Sequence, residues 1–132
     1  MRNVANDLWL RAEDALRAAR HVLPVSPDTA TSRAYYAAFY AVSAFFALDG
    51  RTFTKHAAVE TAVHRDLVKA GVWPMELGEG YSRLTQARIV GDYGLGQHAS
   101  PTESADAIRI AESIVQAVSR LRPGAFPHSG TG

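Results

Sequence analysis

The stretch from Ser32 to Gly50 reads S-R-A-Y-Y-A-A-F-Y-A-V-S-A-F-F-A-L-D-G. From Ala34 to Leu48 only Ser43 is not apolar, and Ala alternates with Tyr and Phe so that neighbouring helices can approach closely between large aromatic anchors. This is the composition of a helix buried on nearly every side. The apolar run of 15 residues falls short of the roughly 20 needed to cross a bilayer, and Arg33 and Asp49 close it at both ends. The stretch predicts a central core helix.

Upstream, Val4, Leu8, Ala12, Ala15, Leu16, Ala19, Val22 and Leu23 recur at three- and four-residue spacing, an amphipathic helix that Pro24 ends. Ser26-Pro27-Asp28 then supplies an N-cap hydroxyl, a proline at the first helical position and an early carboxylate, so the central helix starts there. Gly50 stands where a left-handed residue commonly closes a helix. Downstream, Thr54 is expected to cap a third helix from about Lys55 to Ala70, with Gly71 as its stop. Pro74 suits the start of a fourth helix, although Gly78 and Gly80 weaken its first turns by up to about 1 kcal/mol each.

In that fourth segment Leu77, Tyr81, Leu84 and Arg88 share one face, which puts an arginine on the apolar stripe. Gly91-Asp92-Tyr93-Gly94-Leu95-Gly96 reads as a turn and loop running to Ala99. Ser100-Pro101-Thr102-Glu103 is a capping box with proline at the first helical position, and Ala107, Ile108, Ala111, Ile114, Val115, Val118 and Leu121 form the stripe of the fifth helix. No period-two alternation occurs. The expectation is an all-α, up-down antiparallel bundle of four to five helices over residues 1–122, followed by a disordered tail over 123–132 rich in Pro, Gly and Ser.

Composition excludes several functions. The 132 residues contain no cysteine, which removes disulfides, thiolate metal sites and a cysteine nucleophile. With no secretory leader pattern, the expected setting is cytoplasmic. A net charge of +1 does not announce a nucleic-acid binder, so any such signal is local. Of the 14 basic residues only Lys55 and Lys69 are lysines, a bias that a GC-rich genome would also produce.

Several residues could carry chemistry. Arg88 and Asp92 lie four apart with Tyr93 adjacent, which fits a structural ion pair or a polar pocket for phosphate. Arg33, Tyr36 and Tyr40 share a helical face, where tyrosines serve as core residues or where an arginine and phenols hold an anion and a stacked base. His56, Glu60 and His64 recur at four-residue intervals without the Glu-x-x-His pairs of metal-carboxylate bundles, so no metal or cofactor is expected. His64 reads as a surface residue, whereas His56 could bond a core partner or face a site.

Four segments in order carry a resemblance to a known family: Ser32-Arg33-Ala34-Tyr35-Tyr36-Ala37-Ala38-Phe39, Lys55-His56-Ala57-Ala58-Val59, Leu67-Val68-Lys69-Ala70-Gly71 and Arg88-Ile89-Val90-Gly91-Asp92-Tyr93-Gly94. With the capped last helix they resemble the HEPN domain family of small prokaryotic helical domains. The resemblance implies a bundle that homodimerises around a polar cleft, with a nucleotidyltransferase or antitoxin as partner. Many members are metal-independent endoribonucleases using an Arg followed after four to six residues by His, the arginine neutralising the scissile phosphate while the histidine moves the proton. Here that window holds Tyr93, Gly94 and Leu95 instead, a departure that looks like an Arg-x-x-x-Asp-Tyr branch. The resemblance thus points to RNA, a nucleotide or another phosphate ligand held by Arg88, with Arg33, Tyr36, Asp92 and Tyr93 shaping the cleft. The alternatives are a ribonuclease in which His56 or His98 replaces the missing histidine, and a non-catalytic structural partner.

Overall fold

Ser26 opens the central helix as its sequence suggests: its Oγ accepts a hydrogen bond from the Thr29 amide at 3.2 Å, and Pro27 begins α2 (Pro27–Ala47). The computed structural model describes residues 2–94 and 96–127; Leu95 of the expected loop and residues 128–132 of the expected tail lie outside the described residues. The chain runs α1 (Arg2–Val22), α2, α3 (His56–Ala62) continuing as a π-helical segment (Val63–Val68), α4 (Met75–Tyr93) and α5 (Pro101–Leu121). Among the described residues there is no strand, and no helix is long and apolar enough to cross a membrane.

The α2 alanines explain how this bundle closes. Ala30, Ala34, Ala37, Ala38, Ala41, Ala44 and Ala47 are all completely buried, which lets α1, α4 and α5 approach its backbone. Tyr35 and Phe46 fill the spaces between them, at 1% and 3% exposure. Facing them are Leu16 of α1, Leu84 of α4 and Ile114 of α5, each worth roughly 1.5–3 kcal/mol when fully buried. Gly50 closes the α2 end at φ 79°, a conformation a side chain rarely adopts.

Beside that end, Arg51 lies over the rings of Phe46 and Phe53, 4.6 and 5.5 Å from their centroids, and pairs with Asp66 at 2.9 Å. The loop after α2 is thereby tied to the π segment. The bundle's other end is fixed by Ser104, wholly buried on α5, whose Oγ donates to the Pro27 carbonyl and accepts from Thr31. Ser100 and Glu103 form the expected capping box at 3.0 and 2.9 Å.

Three details differ from the sequence expectations. Thr54 does not cap α3; Lys55 stands at that position without a side-chain bond, and the helix changes to π geometry at Val63. The α4 glycines sit in close contacts, since a Cβ at Gly78 would lie 2.6 Å from Val68 Cγ2 and one at Gly80 would lie 2.9 Å from Ile110 Cγ2. Tertiary packing therefore overrides their poor helix propensity, and α4 is regular from Met75. The helix also runs through Gly91, Asp92 and Tyr93, expected as loop, and Gly91 sits beside the backbone of Asp28, where a Cβ would make only ordinary contact, 3.6 Å from its carbonyl oxygen. At the chain's other end, Phe126 returns to stack on Trp9 of α1, with ring centroids 4.5 Å apart, so residues 123–127 have a defined place.

Candidate functional site

The α4 stripe of Leu77, Tyr81, Leu84 and Arg88 turns towards α2, so Arg88 arrives beside the aromatic residues of the central helix. Its guanidinium carbon lies 4.8 Å from the centroid of the Tyr35 ring and 6.0 Å from that of Tyr36, and its side chain is only 15% exposed. Extension of α4 to Tyr93 places Asp92 one turn on, where its carboxylate accepts from Nη1 at a long 3.4 Å. The Nε of Arg88 is buried without a hydrogen-bond partner among the described residues. Burial opposes the charge on Arg88, but the oxygens of Tyr35, Tyr36, Tyr93 and Asp92 outweigh it, and its pKa is raised above the ordinary arginine value. The result is a permanently charged fork of donors with few acceptors.

His56 enters the same cluster from the first turn of α3. Its Nδ1 is 2.7 Å from the hydroxyl of Tyr35, and its ring stacks on Phe39 with centroids 4.3 Å apart. The edge of Tyr36 meets its other flank at 5.7 Å. Burial and then the charge of Arg88 hold its pKa below the ordinary 6.5, so the imidazole is neutral at pH 7. Burial likewise raises the phenols of Tyr35 and Tyr81 above their usual value of 10.0, so both keep their protons. The Tyr81 hydroxyl, on a side chain 1% exposed, has no well-formed hydrogen bond among the described residues.

Arg33 lies over Tyr36, 4.8 Å from its centroid, on the same half-buried face of α2. Tyr93 is 70% exposed at the end of α4. Arg88, Asp92, Arg33, Tyr36 and His56 are thus gathered at one place, with Tyr93 at its margin. His98 is not among them. Its Nδ1 is 2.6 Å from Asp28 Oδ2, and the other oxygen of Asp28 accepts from the Ala99 amide at 2.7 Å. Those contacts hold the Asp28 carboxyl below its ordinary 3.8, the amide contributing most and His98 next. His98 therefore pins the loop after α4 to the start of α2, beside an open cleft of about 540 Å³.

Tyr35, Phe39 and Tyr81 went unassigned as site residues in the sequence; the close Arg-Ala-Tyr-Tyr spacing was the available signal, but it does not say which tyrosine faces Arg88. A second polar group was also missed. Ser82 Oγ donates to Glu60 Oε2 at 2.9 Å and accepts from His64 Nε2 at 2.8 Å, so His64 is half-exposed yet tied to α4. Glu60 holds the serine and not the second ring nitrogen of His64, so the group cross-links α3 and α4 and lacks the arrangement of an activated nucleophile. Among the described residues no cluster of three or more His, Cys, Asp or Glu side chains could hold a metal ion.

Comparisons with known proteins agree with this architecture. The solved structure of TT1696 from Thermus thermophilus superposes with a TM-score of 0.75 at 23% identity, covering 89% of this chain and 98% of the other, a likeness of fold. A UPF0332 protein of Thermotoga maritima is 40% identical over 93 residues, 70% of each chain. Another, from Gloeobacter violaceus, is 32% identical over 108 residues, 81% of this chain and 85% of the relative. The family model described as HEPN domain matches residues 5–121, and the chain belongs to the HEPN domain family.

Proposed function

We propose that this HEPN-domain protein binds a phosphate-bearing ligand, RNA or a nucleotide, through Arg88. One observation carries the reading: a guanidinium only 15% exposed keeps a buried Nε without a partner and spends a single long bond on Asp92. An arginine so placed is short of acceptors, and two oxygens of a phosphate match its planar fork. Tyr36, half-buried and already stacked with Arg33, offers a face for a base beside the phosphate. Asp92 and Tyr93 border the opening and limit how an anion approaches.

A homodimer that completes the cleft, a nucleotidyltransferase or antitoxin partner and a cytoplasmic setting belong to the same reading through family likeness, and light scattering tests the first of them. The ribonuclease reading has one observation in its favour, a neutral imidazole at His56 on the same aromatic floor as Arg88. It requires that imidazole to take up a proton.

The test is calorimetric titration of the full chain with a single-stranded RNA tetranucleotide, with adenosine nucleotides and with inorganic phosphate. The partner variant is Arg88→Lys, which keeps the charge but not the fork. Wild type should bind at least one of the three ligands, and the variant should bind it about 10- to 100-fold more weakly, the worth of one or two charged hydrogen bonds. Equal affinity in both proteins, or no binding by wild type, refutes the reading.

A further inference from the structure

Tyr35 is as enclosed as Tyr81, at 1% exposure, and the described residues give its hydroxyl one well-formed hydrogen bond, to His56 Nδ1 at 2.7 Å. That bond can form in two ways. If Nδ1 carried the proton and donated, the phenol's own proton would be left buried in an aromatic cluster without a well-placed acceptor, which is costly in a protein interior. If the phenol donates, Nδ1 is the acceptor and every proton is used. The neighbouring Tyr81 hydroxyl, also buried and a proton holder itself, is loosely placed to donate to the Tyr35 oxygen, which directs the Tyr35 proton to Nδ1. A neutral imidazole that accepts at Nδ1 carries its proton on Nε2.

A half-turn of the His56 ring about its Cβ–Cγ bond would set Cδ2 against the Tyr35 hydroxyl and lose the bond, and the plane of the ring is held by its aromatic neighbours. Phe39 stacks on it within 10° of parallel, and Tyr36 meets it at 86°. With Nδ1 engaged by a buried residue, Nε2 is the nitrogen left without a partner among the described residues, on a half-buried ring. Arg88 also lies against Tyr35 and Tyr36, so the two side chains share one aromatic floor.

Building on the phosphate-binding reading, we infer that Tyr35 is a positioning residue that fixes His56 as an Nε2–H donor, giving the ligand's anionic oxygens a second contact beside Arg88. The imidazole then acts as a hydrogen-bond donor to phosphate. It is not poised as a base, because Nδ1 already accepts from Tyr35 and Nε2 already holds its proton.

The experiment is a long-range proton–nitrogen correlation spectrum of the imidazoles in the nitrogen-15-labelled full chain at neutral pH. It is recorded for wild type and Tyr35→Phe, with and without inorganic phosphate and the RNA tetranucleotide. Wild-type His56 should show the Nε2–H pattern, and removal of one hydroxyl should relax it towards a mixture of tautomers. Phosphate or the tetranucleotide should shift the Nε2 resonance of wild type, and Tyr35→Phe should bind about three- to tenfold more weakly. An Nδ1–H pattern in wild type overturns the inference without any ligand. So does an unchanged pattern in Tyr35→Phe. A ligand that perturbs Arg88 but leaves His56 unmoved defeats this inference while the phosphate reading stands, and ligands that perturb neither defeat both.

Discussion

Arg88→Met separates a binding arginine from a structural one. Methionine keeps the length of the stem and removes the charge. The lost ion pair with Asp92 is long at 3.4 Å, with side chains 15% and 29% exposed, so it contributes about 0–1 kcal/mol. The guanidinium over Tyr35 contributes about 0.5–2 kcal/mol. Against these stand the desolvated, unpartnered Nε, which costs about 1–3 kcal/mol, and a thioether that gains about 0.3–1.5 kcal/mol among the rings of Tyr35 and Tyr36. Asp92 is exposed enough to take up water once its partner is gone. The two sides nearly cancel, and the variant should unfold within about 1 kcal/mol of wild type or be more stable, while losing phosphate ligands. Urea denaturation followed by circular dichroism measures the difference, with the slope checking that both proteins unfold the same way. A loss above about 2 kcal/mol at unchanged slope would show that Arg88 holds the fold together, and the reasoning would fail.

Gly78→Ala should lower stability by about 1 kcal/mol or more although alanine is the better helix former, since its Cβ would meet the stiff Val68 side chain at 2.6 Å; a rise in melting temperature would contradict the packing argument. Because burial and Arg88 lower the pKa of His56 in the folded state, the unfolded chain protonates first as the pH drops below 6.5. The contribution of His56 is therefore lost on acidification, and stability between pH 7 and pH 5 should fall less steeply in His56→Gln than in wild type; parallel curves would deny the depressed pKa. With its proton on Nε2, His56 offers no base, so highly purified protein without metal should not cleave RNA. Cleavage by wild type that vanishes in an identically prepared Arg88→Ala would reverse this and make the protein a ribonuclease.

What could be read ahead of the structure depended on how local each signal was. The all-α bundle was visible because the alanine–aromatic pattern of α2, the Ser26-Pro27-Asp28 start and the Ser100–Glu103 capping box act within one or two helical turns. The position of Arg88 on the apolar stripe was visible for the same reason. Features set by distant contacts were not. The Tyr35–His56 bond joins residues 21 apart across the loop after α2, and periodicity alone does not say whether Tyr35 or Tyr36 turns inward. Gly78 and Gly80 of α4 misled because their value lies in close contacts with Val68 and Ile110, not in local propensity. His98 illustrates the converse: it lies ten residues beyond Arg88 in the chain, and the structure ties it to Asp28 on another helix.

The proposal made for Arg88 is that its guanidinium contacts a phosphate. Its most direct test is the arginine Nε–H resonances of the nitrogen-15-labelled full chain during titration with the RNA tetranucleotide and with inorganic phosphate. The resonance missing from Arg88→Lys is thereby assigned to Arg88. That resonance should move progressively and saturate with the heat of binding, ahead of those of exposed arginines such as Arg83 and Arg109. Saturable binding that leaves it in place would put the ligand elsewhere on the molecule and contradict the account.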